Sequence, residues 1–336
     1  DPDATNPDPA AKPVDAHFEC QNNGLGGVCN NILANTAVIF QADYCVTGNC
    51  NPNTYVNSTG PNTLEYDNMV GLFHSSMAKE ADGTVKVWGQ GAAHNGFGQN
   101  NNLLVPNNLN SINYPLLTGD VLKFTGASNT NSQQFAVLTT TGLFTWGNEG
   151  ILIPSALQSQ GVFTKLAVGT YGITGTAKTD GLPAGVNPTD VKMMFGSNGI
   201  LALVTCTGDA WILSSNGNLY SDGTVDSNAN DIVWHRIKAG TAGNPELTNV
   251  VAVRGTLNGA MALTATGDLY TWGSNVRTGV GNAVNLSFAT LMNKPVGTPK
   301  MIGMTGSTTA GITQYVLMTD GNLYSLGENG YGQLGK

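Results

Sequence analysis

Apolar and polar residues alternate along this chain in short arms, and the arms come in pairs about a glycine. Residues 260–275, AMALTATGDLYTWGSN, show the pattern most fully. An alternating arm at Met261–Leu263 runs into a turn at Ala265–Thr266–Gly267–Asp268. A second arm, Leu269–Tyr270–Thr271–Trp272, is closed by Gly273. Alternation sends successive side chains to opposite faces of a strand. A glycine beside Asp or Asn supplies the backbone a tight turn needs, so the stretch predicts a β-hairpin. Four more copies stand at 75–90 (SSMAKEADGTVKVWGQ), 134–149 (QFAVLTTTGLFTWGNE), 200–215 (ILALVTCTGDAWILSS) and 314–329 (QYVLMTDGNLYSLGEN).

The turn glycines are Gly83, Gly142, Gly208, Gly267 and Gly321, separated by 59, 66, 59 and 54 residues. Trp88, Trp146 and Trp272 occupy the place before the closing glycine, and Leu213 and Leu326 fill it in the other two copies. Three of the five tryptophans share this one position, which sets chance aside. Another strand-like run ending in a small residue precedes each hairpin, at 68–71, 121–126, 191–196, 250–255 and 301–306. Room remains for an outer strand, clearest at Ile232–Ile237 (IVWHRI). Four short strands per repeat of this length suit a propeller blade. No stretch reads as a helix of any length.

The run from Gly71 through His74 and Ala78 to Asp82–Gly83 and Trp88–Gly89 resembles the repeat of the RCC1-like β-propeller family. So does the ending Leu326–Gly327–Glu328–Asn329–Gly330–Tyr331–Gly332–Gln333–Leu334–Gly335. The resemblance covers roughly residues 67–335 and blurs in the third unit, where Trp211 follows the turn glycine too closely. It implies an all-β propeller over 67–336. The family closes its ring with more than five blades, and five units nearly exhaust the 336 residues. Either the ring has fewer blades, with N-terminal strands completing the last one, or the chain is a piece of a longer protein.

Composition narrows the picture. Only 11% of residues are charged, 40% are hydrophobic and 44 are glycine, which describes a loop-rich β domain and not a disordered chain. A net charge of −8 and 14 scattered Lys and Arg do not supply the basic cluster a phosphate backbone requires, so a nucleic-acid partner is not expected. No run approaches the ~20 apolar residues of a membrane helix, and direct membrane insertion is not expected. The chain starts at Asp1 and is expected to be a processed form. Residues 1–16, Pro-rich and polar, predict a tether.

Four cysteines, Cys20, Cys29, Cys45 and Cys50, fall within residues 17–66, a segment with one strand-like run at Ala37–Ala42. Zinc is one reading, but no CxxC is present and His17 is the only nearby histidine. Two disulfides in an oxidising compartment fit better, and nearest-neighbour pairing gives Cys20–Cys29 and Cys45–Cys50. Cys206, within a predicted strand, reads as a buried free thiol.

Candidate chemistry is thin. His74 falls where the repeat often carries histidine and is expected to pack within a blade; His235 is expected at the surface of an outer strand. No G-x-S-x-G, H-E-x-x-H or P-loop occurs, and no metal or cofactor is implied. The carboxylate pairs Glu65/Asp67, Glu80/Asp82 and Asp222/Asp226 read as polar turns, and the run from Asp222 to Asp231 lacks EF-hand spacing. Long excursions at 89–115, 169–190 and 274–299, the last with the isolated Arg277, suggest binding loops. The first offers His94, Asn95, Phe97, Asn100 and Tyr114, rings that stack on sugars flanked by amides that bond hydroxyls. The plainer reading has Phe97 and Tyr114 anchoring the loop.

These features point to a non-enzymatic binding or adhesion module, extracellular at the cell surface, that grips a protein or glycan partner. The Asn/Gly/Thr-rich, cysteine-paired style resembles exported adhesin-type proteins of surface-moving bacteria, cargo of a dedicated protein secretion machinery. A glycan-active propeller enzyme and a passive structural spacer are the alternatives.

Overall fold

In a computed structural model the described residues are 69–80, 82–90, 102–130, 132–225, 231–307 and 311–335. Residues 1–68, with Cys20, Cys29, Cys45, Cys50, the tether and the strand-like run at 37–42, lie outside them. The described chain folds as five antiparallel sheets in sequence order. The first blade is β1 (Met69–Gly71), β2 (Ser75–Lys79), β3 (Val85–Gly89) and β4 (Leu103–Asn108). The second is β5 (Val121–Asn129), β6 (Ser132–Thr139), β7 (Gly142–Gly147) and β8 (Thr164–Lys165). In the third, β10 (Val191–Ser197), β11 (Ile200–Thr205), β12 (Ala210–Leu213) and β13 (Val233–Arg236) gain a parallel outer strand, β9 (Gly169–Thr170). The fourth is β14 (Val250–Gly255), β15 (Gly259–Thr264), β16 (Leu269–Val276) and β17 (Val284–Leu291). The fifth has three strands, β18 (Pro299–Ser307), β19 (Gly311–Met318) and β20 (Leu323–Gly327). Inner strands β1, β5, β10, β14 and β18 pack in that succession, which is the side-by-side order of a propeller. Among the described residues the other elements are 3₁₀ turns at 155–157, 188–190 and 217–219.

The core lies between blades. One cluster, with Met77, Val87, Phe124, Phe135 and Trp146, fills the first junction. A second, with Leu138, Leu152, Met194 and Leu203, fills the next. A third runs through Ile212, Val253, Met261, Trp272 and Ile302 from the third blade to the fifth. Burying both faces explains why the middle strands are sealed along their whole length, as in β7, β11 and β15. The buried amide of Gln134 is matched within the second blade. Gln134 Oε1 accepts from the N–H groups of Ile151, Leu152 and Ile153 at 3.2, 2.7 and 3.3 Å, and its amide donates to Gln158 at 2.5 Å.

The closing glycine is needed twice over. Gly89, Gly147, Gly273 and Gly327 take φ between 105° and 137°, where L side chains are strained. A Cβ on any of them would also collide with a carbonyl oxygen of the neighbouring strand, well inside contact distance. The freed space lets the following N–H bond that same carbonyl, as Ser274 does to Asn258 at 2.7 Å. The third blade departs here: Ser214 fills the place and its hydroxyl donates to the Gly199 carbonyl at 2.5 Å.

All three of the expected excursions carry strands. β4 lies within 89–115 and β17 within 274–299, each as the outer strand of its blade, while 169–190 begins with β9. Arg277 is not isolated: its guanidinium meets Glu328 at 3.4 Å and its N–H donates to Gln314 at 3.0 Å.

Candidate binding surface

His94, Asn95, Phe97 and Asn100 lie outside the described residues. Tyr114 does not offer an exposed ring. It is 1% exposed and packs against Trp146 and Phe163, with centroids 5.5 and 5.1 Å apart, in the first junction. The loop-anchoring reading of Tyr114 is the one its burial fits, and burial pushes its hydroxyl pKa up.

Two histidines trade places with their expectations. His74 is exposed, its Nδ1 2.7 Å from Gln90 Oε1, and is not packed in a blade. His235 on β13, expected at the surface, is fully buried. Its ring lies between Tyr220, stacked at 3.7 Å and 6°, and Tyr171, stacked at 4.7 Å and 24°. Nδ1 is 2.6 Å from Asp222 Oδ2 and Nε2 is 3.1 Å from Asp231 Oδ2. Only the imidazolium form donates from both nitrogens. Burial raises the Asp222 carboxyl pKa, but His235 and the Thr224 N–H outweigh it and hold the group below the usual carboxylate range. With both nitrogens bonded and both faces covered, this histidine has no atom open to a substrate. It clamps the β12–β13 connection and the segment after β9 onto the third blade.

The other flagged groups also serve structure. Glu80 pairs with Lys86 at 3.6 Å, and Asp82 accepts from the Thr84 N–H at 2.8 Å as a turn residue. Asp226 lies outside the described residues. Among those described, no three His, Cys, Asp or Glu side chains are placed to hold a metal ion. Cys206 is disulfide-bonded, which corrects the free-thiol expectation, and it sits in the β11–β12 turn just past the strand.

What remains open is apolar. Ile112 and Leu116 in the β4–β5 connection are exposed, as are Tyr171 and Ile173 after β9 and Val296 between β17 and β18. All five stand on chain that passes from one blade's outer strand to the next blade's inner strand. Sequence reading missed them because a lone apolar residue in a polar connection carries no periodic signal.

The repeat, its junctions and its closing glycines define a β-propeller whose repeats are similar to those of RCC1-like proteins. No family model matches the chain. RCC1 domain-containing protein RUG3, mitochondrial, from Arabidopsis thaliana, is 27% identical over 282 residues, covering 79% of this chain and 54% of that protein. The crystal structure of human WBSCR16 superposes with a TM-score of 0.50 at 22% identity, covering 70% of this chain and 54% of that one. Yeast RCC1 (Prp20), solved bound to Kap60, gives 0.48 at 17% identity, over 76% of this chain and 54% of that one. The chain therefore spans about half the length of each of these proteins.

Proposed function

We propose that this chain is a non-enzymatic binding module of a secreted bacterial surface protein, gripping a protein or glycan partner with the connections of a rigid propeller. The observation that carries this is the contrast between sealed junctions and exposed Ile112, Leu116, Ile173 and Val296 on interblade connections. A scaffold with both faces of its middle blades buried holds such side chains in place at small entropic cost to a partner. The disulfide at Cys206 supports an oxidising compartment. The bacterial surface and the secretion machinery rest on the style of the sequence alone.

The test is equilibrium binding of the whole chain to glycan arrays and to bacterial envelope proteins, beside a variant carrying Ile112→Ser, Leu116→Ser and Ile173→Ser. Saturable binding weakened about tenfold, or ~1.4 kcal/mol, in a variant with an unchanged melting midpoint supports the reading. Hydrolysis of an arrayed glycan would move the chain to the enzyme alternative, and silence on both surfaces to the spacer. Free alkylation of Cys206 without reductant would remove the extracellular assignment.

A further inference from the structure

The segment that His235 clamps after β9 belongs to the surface assigned above to a partner. β9 pairs in parallel with β13 at Gly169↔Val233 and Thr170↔Trp234, and the Tyr171 N–H carries the ladder on to the Trp234 carbonyl at 2.9 Å. Beyond that bond the chain leaves the sheet. Tyr171 and Ile173 are 52% and 59% exposed, and the Tyr171 ring closes over the His235 imidazole. One buried ring therefore supports a stretch of exposed apolar surface.

The two carboxylates on that ring are not equivalent. Asp222 is 1% exposed and 2.6 Å from Nδ1, and its other oxygen accepts from the Thr224 N–H at 2.9 Å. Asp231 is 17% exposed and 3.1 Å from Nε2, and its other oxygen accepts from the Val233 N–H at 3.2 Å. A neutral imidazole donates from one nitrogen only. Asp222, the closer and the sealed one, keeps that donor, because a carboxylate shut away from water is the harder to leave unpaired. Nε2 then turns a lone pair on the Asp231 carboxylate, which has water within reach. The stack weakens at the same step, since a neutral ring offers Tyr171 no cation.

Few other groups bear on the ring. Tyr220 covers its second face, and burial pushes that hydroxyl's pKa up, so it keeps its proton where imidazole titrates. On β13 itself, Arg236 turns away to Asp209 and Glu246 and lies over the Trp211 ring. Lys178, between β9 and β10, is taken by Asp180 and by the Pro183 and Val186 carbonyls. Among the described residues the charges that face the ring are those of Asp222 and Asp231.

We propose that His235 is a proton-operated latch on residues 171–173. With both ring nitrogens protonated it bridges Asp222 and Asp231, and the segment is held. When the Nε2 proton passes to water, Asp231 turns outward, the Tyr171 stack loosens and the segment opens. Partner binding through Tyr171 and Ile173 then weakens as pH rises, a regulation that rests on the reading of those connections as the binding surface.

The experiment uses the whole chain, and its first part needs no partner. Long-range proton–nitrogen NMR spectra follow the protonation of the His235 ring from about pH 5 to about pH 9. Amide-exchange protection of Tyr171 and Ile173 is measured beside that of Leu203 in the same blade. Protection at 171 and 173 should fall about tenfold as the ring loses its proton, with Leu203 unchanged. In Asp231→Asn the side-chain carbonyl accepts from a protonated Nε2 and the amide donates to a neutral one, so protection should stay high throughout. A ring that holds one charge state across the range overturns the proposal. So does a ring that titrates with no change in protection, or an equal fall in Asp231→Asn. With a partner found on the arrays, binding by the unaltered chain should weaken about tenfold over the same step, and binding by Asp231→Asn should not. Binding indifferent to that step overturns the regulation. Silent arrays would remove the binding reading, and the exchange data would still decide the latch.

Discussion

His235 is the residue whose role depends most on its surroundings. With its two carboxylates it forms a hydrogen-bonded cluster of three side chains, and the worth of such a cluster shows when one member is removed. His235→Ala removes the donor to Asp222 Oδ2 and Asp231 Oδ2 and leaves the two carboxylates only the backbone N–H groups of Thr224 and Val233. Unfolding in urea should show a loss of about 3 kcal/mol. The pH dependence has a definite sign. The folded Asp222 carboxyl lies below the ordinary unfolded value of about 3.9. Its contribution is therefore complete above that value and is lost as pH falls through the lower folded one. Asp222→Asn should flatten the acid limb of the stability curve below pH ~4, and an unchanged acid limb would show that the clamp contributes nothing. Little of this was legible in the sequence. Asp222 lies 13 residues from His235, and Tyr171 reaches it from the chain before the third blade's inner strand. The run from Asp222 to Asp231 ahead of Val233–Arg236 is the available signal, and by itself it looks like any polar turn.

At the scale of the element, hairpins were legible and, apart from β13 within the expected run at 232–237, outer strands were not, for one reason. β2–β3, β6–β7, β11–β12 and β15–β16 sit mid-sheet, so both the alternation and the turn glycine are imposed by packing. β4 is an outer strand, exposed at Leu104 and Val105, and nothing there forces a pattern. The same logic separates two kinds of glycine. Gly83 turns with φ 89°, and a Cβ added there would meet nothing within 4 Å, so Gly83→Ala should cost about 1 kcal/mol. Gly273 takes φ 107° and an added Cβ would run into the Asn258 carbonyl, where neither backbone can retreat without breaking the Ser274 bond. Gly273→Ala should cost about 3 kcal/mol or more, read from denaturant midpoints at constant slope. Equal costs at the two sites would mean that the close approach contributes nothing beyond the turn itself.

For the whole molecule, the order of the blades matters more than any single one. Each blade leans on its neighbours, so stability is close to a sum of blade and junction contributions, as in other repeat architectures. The third and fourth blades are covered on both faces, and their middle strands β11 and β15 are buried throughout. Among the described residues the fifth has a junction on one side only, three strands instead of four, and an edge at β20. Local opening there disrupts one interface, whereas opening the third blade disrupts two. Native-state hydrogen exchange should therefore be graded, fastest in β19 and β20 and slowest in β11 and β15. The Leu263 amide should outlast that of Leu317, although the two occupy equivalent places in their hairpins. Uniform protection across all five blades would mean that the chain opens only as a unit, and the end blade would then owe its order to something other than its single junction.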